Sequence, residues 1–393
     1  MNEVRMGIIG IGNMGTAHAN SLNEGKVEGM RLTAVCDIDQ SRLDWCKENL
    51  AEGIATFTDY KEMMASGLVD AVLVAVPHYY HPVIAIDGFN AGLHVLTEKP
   101  AGVYAKQVRE MNEAAKKSGK IFGIMFNQRT NPYFAKMREV VQSGELGELK
   151  RSVWIITNWY RTQRYYDSGS WRATWEGEGG GVLLNQCPHN LDLWQWIFGM
   201  PSKIRATCNY GKWHNIEVED DVTICAEYEN GASGVFITST GDCPGTNRFE
   251  ITGDKGKMVC ENGKLTWWKL SEPERKVCFE SDDGFYHDDN LVVEDVESDE
   301  IETAHIGILQ NFTNAILKGD ALLAPGYDGI NGVNIANAAH LSDWTNEWVS
   351  LPVDEDKFLD LLNERRATSK AKEHVETIVS DLSGTYNDRW KVR

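Results

Sequence analysis

The chain has 393 residues, 42% hydrophobic and 25% charged, with a formal net charge of -19. That composition suits a globular protein with room for two domains, on a scale of roughly 100–200 residues each. The acidic balance argues against a nucleic-acid partner, which needs a basic face, and no apolar run approaches the roughly 20 residues that span a bilayer. The first residues carry Glu3 and Arg5 and run straight into a strand pattern, so no signal peptide is expected. The eight cysteines stand singly, without a Cys-x-x-Cys pair. Disulfides and metal sites are therefore not expected, and a cytoplasmic setting is.

In chain order, β-rich runs at 4–9, 32–36, 71–76, 94–97 and 121–126 alternate with helical patterns at 13–24, 40–51, 82–91 and 104–118. Strands alternating with helices imply βαβ units, hence an α/β fold with a doubly wound parallel sheet over residues 1–126. From residue 127 onward the rhythm changes. After a helix near 133–143, strand-like runs succeed one another at 149–160, 204–213, 222–228, 234–240 and 248–252, separated by turn signals such as ENGASG. This predicts an α+β second domain, residues 127–393, around an open, mostly antiparallel sheet. The acidic segment 281–300 reads as a solvated loop, helices return at 304–318 and 330–348, and 351–393 reads as helix and then irregular chain.

The stretch GIIGIGNMGTAHANSL supplies Gly10, Gly12 and Gly15 as G-x-G-x-x-G between a strand and a helix. Gly10 permits the tight turn, Gly12 lets a pyrophosphate approach the backbone, and Gly15 allows close helix–strand packing. Backbone N–H groups around Ile11, Asn13 and Met14, aided by the helix dipole, would hold the phosphates. Asp37 ends the second strand, where an acid accepts bonds from the adenosine ribose. It would repel a 2′-phosphate, which favours NAD; Arg42 keeps NADP open.

Ligands of open α/β sheets sit beyond the carboxyl ends of the strands. Three segments should therefore line the nicotinamide: VPHYYHP with Pro77 and His81, EKPAG with Glu98 and Lys99, and the domain junction at Asn127. His78 and His81 read first as loop or cap residues. In GGGVLLNQCPHNLDLWQWIFG, Pro188 opens a helix and Gly199 stops it. His189 falls in its first turn, where the dipole disfavours an imidazolium and keeps the neutral ring a general base needs. Asp192, at i+3, is positioned to orient that ring. Asn158, Tyr160, Arg161, Trp171 and Arg172 cluster before the glycines. Their aromatic faces and polar tips suit a sugar, and the arginines also suit a substrate carboxylate or phosphate.

The glycine turn, EKP at Glu98–Pro100 and GGG…H..D at Gly179–Asp192 together resemble the Gfo/Idh/MocA (glucose–fructose oxidoreductase/inositol dehydrogenase) family across most of the chain. The resemblance implies a Rossmann domain joined to a C-terminal α/β domain whose open sheet often forms a homo-oligomer interface, here a dimer or tetramer. It also implies NAD(P)-dependent oxidation or reduction of a sugar, glycoside or cyclitol. On this likeness Lys99 binds substrate and relays a proton, His189 is the acid/base, and Lys99–Pro100 is cis. The chain departs from the family where many members carry an aspartate four residues before the histidine. Here stands Asn185, which can bond a sugar hydroxyl but cannot take up a proton. Two other readings stay open: redox-neutral recycling of NAD during cleavage or elimination of a glycoside, and a non-catalytic dinucleotide-dependent sensor.

Overall fold

The computed structural model describes residues 2–285, 287–298 and 301–370, together with Lys372 and Val375. Its first half runs β1 (Val4–Ile9), α1 (Asn13–Asn23), β2 (Met30–Cys36), α2 (Gln40–Asn49), β3 (Ala55–Phe57), α3 (Tyr60–Ala65), β4 (Ala71–Val74), α4 (Tyr80–Asn90), β5 (His94–Thr97), α5 (Ala105–Ser118) and β6 (Phe122–Ile124). The six strands form a parallel sheet ordered β3-β2-β1-β4-β5-β6. Its central strands are mostly apolar because helices cover both faces, and all of Ala71–Val74 is buried. Asp39 and Asp59 cap α2 and α3 by accepting from Ser41 N and Lys61 N. The sequence reading missed β3 and α3, for β3 is a three-residue edge strand, only half-buried, with no apolar run to announce it.

The second half runs α6 (Pro132–Ser143), β7 (Leu149–Ile156), α7 (Gln163–Asp167), α8 (Pro188–Phe198), β8 (Lys203–Tyr210), β9 (Glu219–Glu227), β10 (Ser233–Ser239), β11 (Asn247–Gly253), β12 (Gly256–Glu261), β13 (Lys264–Lys269), α9 (Glu274–Glu280), β14 (Val292–Val296), α10 (Ala304–Lys318), α11 (Gly329–Thr345), β15 (Val349–Ser350) and α12 (Glu355–Thr368). Nine strands form one sheet, β14-β13-β12-β11-β7-β10-β9-β8-β15. It is antiparallel except where β10 runs parallel to β7. One face alternates into the core beneath α8 and α11. Trp154, fully buried at its centre, stacks on Phe249 with ring centroids 4.3 Å apart. On the other face Thr223, Cys225 and Glu227 of β9 stand exposed.

One expectation needs correction. The acidic segment 281–300 is not loop throughout, because Val292–Val296 pairs with β13 as an edge strand. An edge strand with four of five residues exposed needs no apolar face, so acidic residues sit on it without penalty. The tail is helical through Thr368, and residues 376–393 lie outside the described residues. The two halves interlock. Ile308, Leu309 and Phe312 of α10 pack into the core of the first sheet, and Asn337 of α11 bonds Ala105 N and Val103 O, each at 2.9 Å. Among the described residues no helix is long and apolar enough to cross a membrane.

Candidate active site

The turn after β1 is shaped by what side chains cannot do there. Gly10 has φ +91°, and a methyl on it would lie 2.5 Å from the Ala75 carbonyl oxygen. On Gly15 a methyl would lie 1.8 Å from the carbonyl of Gly10, so helix and turn meet backbone to backbone. Gly12 is different: a methyl there would meet nothing within 4 Å. It is also the N-cap of α1, and no side chain caps that end, which leaves the leading N–H groups of Asn13 and Met14 facing open space. Asp37 steadies the turn, accepting from Ile11 N through Oδ2 at 2.6 Å and from Asp39 N through Oδ1 at 2.9 Å.

The loops beyond β4, β5 and β6 converge on one side of this turn. His81, buried at the start of α4, has its Nδ1 and Nε2 each 2.7 Å from a carbonyl, of Pro100 and Val76 respectively. It ties the Pro77 loop to the cis Lys99–Pro100 peptide. The buried Glu98 carboxylate has His18 Nε2 at 2.7 Å and accepts from Lys99 N at 3.2 Å. Burial pushes its pKa up, but the His18 hydrogen bond and neighbouring cationic groups bring it down to about 2. Asn127 is fully buried, and neither atom of its amide has a partner among the described residues. A buried primary amide left unmatched is costly unless a ligand with its own donor and acceptor completes it. An uncapped glycine turn, an acid at the end of β2 and this orphaned amide together fit a nicotinamide dinucleotide.

Facing these loops is the glycine stretch of the second half. Lys99 Nζ, half-buried, donates to the Asn185 carbonyl at 2.9 Å, and burial lowers its pKa against the pull of Glu98. His189 in the first turn of α8 is 2% exposed and lies edge-on to Phe126, ring centroids 6.3 Å apart. Burial and then the Lys99 charge hold its pKa well below the usual range, so the ring is neutral. Asp192 does not serve it. Its carboxylate is gripped by buried Arg129 through Nε at 2.8 Å and Nη2 at 2.6 Å. Arg129 also bonds Asp328 and the Leu323 carbonyl. The i+3 spacing was real, but a bidentate guanidinium outbids a neutral ring for a buried carboxylate.

Three residues of this region were missed by the sequence reading. Glu219, fully buried on β9, accepts from Gly181 N at 2.8 Å and Leu183 N at 3.0 Å, holding the turn that carries Asn185. Glu178, 1% exposed, accepts from the Asn185 side chain and, at 2.5 Å, from Ala173 N. Tyr165 of α7 accepts from Arg172 Nη1 at 3.0 Å and lies under the guanidinium groups of Arg161 and Arg172. Of the expected substrate residues, Arg161, Trp171 and Arg172 are drawn into this cluster: both arginines act on Lys99, and Trp171 meets His78 edge-on at 5.5 Å. Asn158 and Tyr160 are exposed, and Tyr160 touches the cluster through its main-chain carbonyl, which accepts from Arg161 Nη1 at 2.9 Å. No group of His, Cys, Asp and Glu among the described residues is placed to hold a metal.

Comparison with known proteins agrees with this fold. Residues 4–126 match the oxidoreductase family with an NAD-binding Rossmann fold, and residues 134–259 match the GFO/IDH/MocA C-terminal domain. The chain is 28% identical over 279 residues to a myo-inositol 2-dehydrogenase of Thermotoga maritima, covering 69% of this chain and 79% of that protein. It is 29% identical over 262 residues to the rhizopine catabolism protein MocA of Rhizobium meliloti, covering 64% and 78%. Among solved structures, the WlbA dehydrogenase of Bordetella pertussis, in complex with NADH and UDP-GlcNAcA, superposes with a TM-score of 0.76 at 23% identity, covering 90% of this chain and 99% of that one. A levoglucosan dehydrogenase in complex with NADH and levoglucosan does so at 0.75 and 20% identity, covering 89% and 100%. These two likenesses are of fold.

Proposed function

Because the chain belongs to the GFO/IDH/MocA oxidoreductase family, with its NAD-binding N-terminal domain, we propose that it is an NAD-dependent dehydrogenase. Its substrate would be a secondary hydroxyl, or the matching carbonyl, of a sugar, glycoside or cyclitol. The observation that carries this reading is the approach of Lys99 Nζ to the Asn185 carbonyl, 2.9 Å across the cleft between the two halves, beside a neutral buried His189. The dinucleotide, when bound, supplies hydride acceptance or donation at its nicotinamide. The N–H groups from Gly12 to Gly15 hold its phosphates, Asp37 its adenosine ribose, and the Asn127 amide its carboxamide. The Ile11 N–H, given to Asp37, steadies the turn instead. Pro77, His81 and Glu98 shape the loops around the ring. Asp37 selects NAD over NADP, because a 2′-phosphate would meet its carboxylate.

His189 takes the hydroxyl proton, while the Lys99 ammonium stabilises the alkoxide and relays a proton more readily for its lowered pKa. Asn185 offers the substrate a neutral hydrogen bond. Arg161, Trp171 and Arg172 form the wall against which a sugar lies, with Asn158 and Tyr160 at its rim. The myo-inositol 2-dehydrogenase among the relatives supports that substrate class. A cytoplasmic homo-oligomer, joined through the exposed face of the nine-stranded sheet, completes the reading. The test is a panel of sugars, glycosides and inositols with NAD⁺ and NADP⁺, products identified by mass. Lys99→Met and His189→Ala should each lower kcat by about a hundredfold or more while binding NADH like the parent. Parent-like rates in either variant, or no turnover across the panel, would overturn it.

A further inference from the structure

Glu178 is a buried carboxylate that no basic group neutralises within ion-pair distance among the described residues. Isolation of that kind is costly, so the charge must be met by hydrogen bonds. They come from Ala173 N, at 2.5 Å to Oε2, and from Asn185 Nδ2 to Oε1. Asn185 is the one half-buried residue in the otherwise buried run from Glu178 to Gln195, and its main-chain carbonyl, not its side chain, accepts from Lys99 Nζ. An amide is planar, with one donor end and one acceptor end. With Nδ2 given to Glu178, Oδ1 is turned the other way.

We infer that Glu178 is a positioning residue for the chemistry at Lys99 and His189: ionised, it turns the Asn185 amide so that Oδ1 is presented as an acceptor for the substrate hydroxyl, and protonated, it reverses that amide. The inference rests on the dehydrogenase reading above. The Ala173 N–H already occupies Oε2, so a proton enters at Oε1, opposite Asn185. A protonated Oε1 needs an acceptor, and the one within reach is Asn185 Oδ1 after the amide has turned, which leaves Nδ2 facing the substrate. A hydroxyl that must lose its proton is then met by a donor, and oxidation slows.

The balance of surrounding groups puts this titration in a useful range. Burial raises the Glu178 pKa, Arg172 and the two hydrogen bonds oppose it, and Glu219 of β9 adds to the rise, leaving it pushed up to about 7. Tyr166 of α7 and Lys372 of the tail also face the carboxylate, and His78 bonds its backbone. His189, held well below the ordinary imidazole range, stays neutral across the same interval and does not mask it.

The experiment tracks kcat/KM for alcohol oxidation against pH, together with the protonated-carboxyl C=O stretch in infrared difference spectra of the NADH-bound protein. The parent should lose activity as pH falls through the Glu178 ionisation and gain the infrared band over the same interval. Glu178→Gln, whose amide presents a donor to Asn185, should abolish both features and lower the high-pH plateau about tenfold, the worth of one hydrogen bond. Asn185→Ala should lose the kinetic inflection while its band remains, with a displaced midpoint. A Glu178→Gln profile that is lower but keeps the inflection, or an Asn185→Ala protein with parent-like inflection and band midpoint, would overturn the inference. If the parent turns over no substrate, the dehydrogenase reading fails by itself. The infrared arm still decides whether Glu178 titrates against Asn185.

Discussion

The two sides of the cleft are built by different means. The turn at Gly10–Gly15 is backbone chemistry: three glycines, an uncapped helix start and one carboxylate from the neighbouring strand. The facing wall is side-chain chemistry, and its parts arrive from far apart. Lys99 meets a residue 86 positions away, Glu219 grips backbone N–H groups 36 to 38 positions away, and Arg129 holds Asp192 across 63. A backbone site tolerates little change in shape but carries little buried charge. A side-chain site tolerates shape changes and fails when one member of a charged set is removed.

The largest break should come on the charged side. Arg129→Met leaves Asp192 buried without its partner, a loss of about 3–5 kcal/mol of stability, measurable by urea denaturation with and without NADH. A loss under about 1 kcal/mol, the scale of an exposed pair, would show that the network is not the joint described. Next in size is Gly12→Ala. Nothing lies within 4 Å of the new methyl, so the thermal midpoint should hold, while NADH affinity falls about tenfold as charge-assisted N–H contacts are obstructed. Affinity unchanged by calorimetry would move the phosphates elsewhere. The last effect, no larger but the sharpest contrast, belongs to Asn127→Ala. Removing an amide that has no partner among the described residues should leave the ligand-free protein at least as stable, yet weaken NADH about tenfold. Destabilisation without loss of affinity would refute the assigned partner.

The same contrast explains what could be read in advance. The glycine turn, Asp37 and the first parallel sheet are governed by neighbours in sequence, and β1, β5, α8 and α10 fall where the pattern puts them. Lys99 and His189 were found through short motifs, and the structure brings them to one cleft. Glu178, Glu219 and Tyr165 gave no signal, because a lone glutamate before glycines or at a strand start is indistinguishable from a solvated one until the chain closes over it. Asp192 was assigned to His189 on local spacing, and a guanidinium from another segment took it. At the far edge of the second sheet β13 and β14 escaped for the opposite reason. Glu294 and Asp295 lie on a strand that the periphery leaves wet, and β13 buries only Leu265 and Trp267 between its terminal lysines, too short an alternation to stand out.

The Arg129 network has a mechanical corollary. It bolts the segment after β6 to α8 and, through Asp328, to the start of α11. Pulling those pieces apart would strand a guanidinium and the Asp192 carboxylate away from water, so any movement of these pieces has to carry the bolt intact. The pieces of the second half around His189 therefore travel as one body. The rim formed by residues 158–172, partly exposed, takes no part in that network.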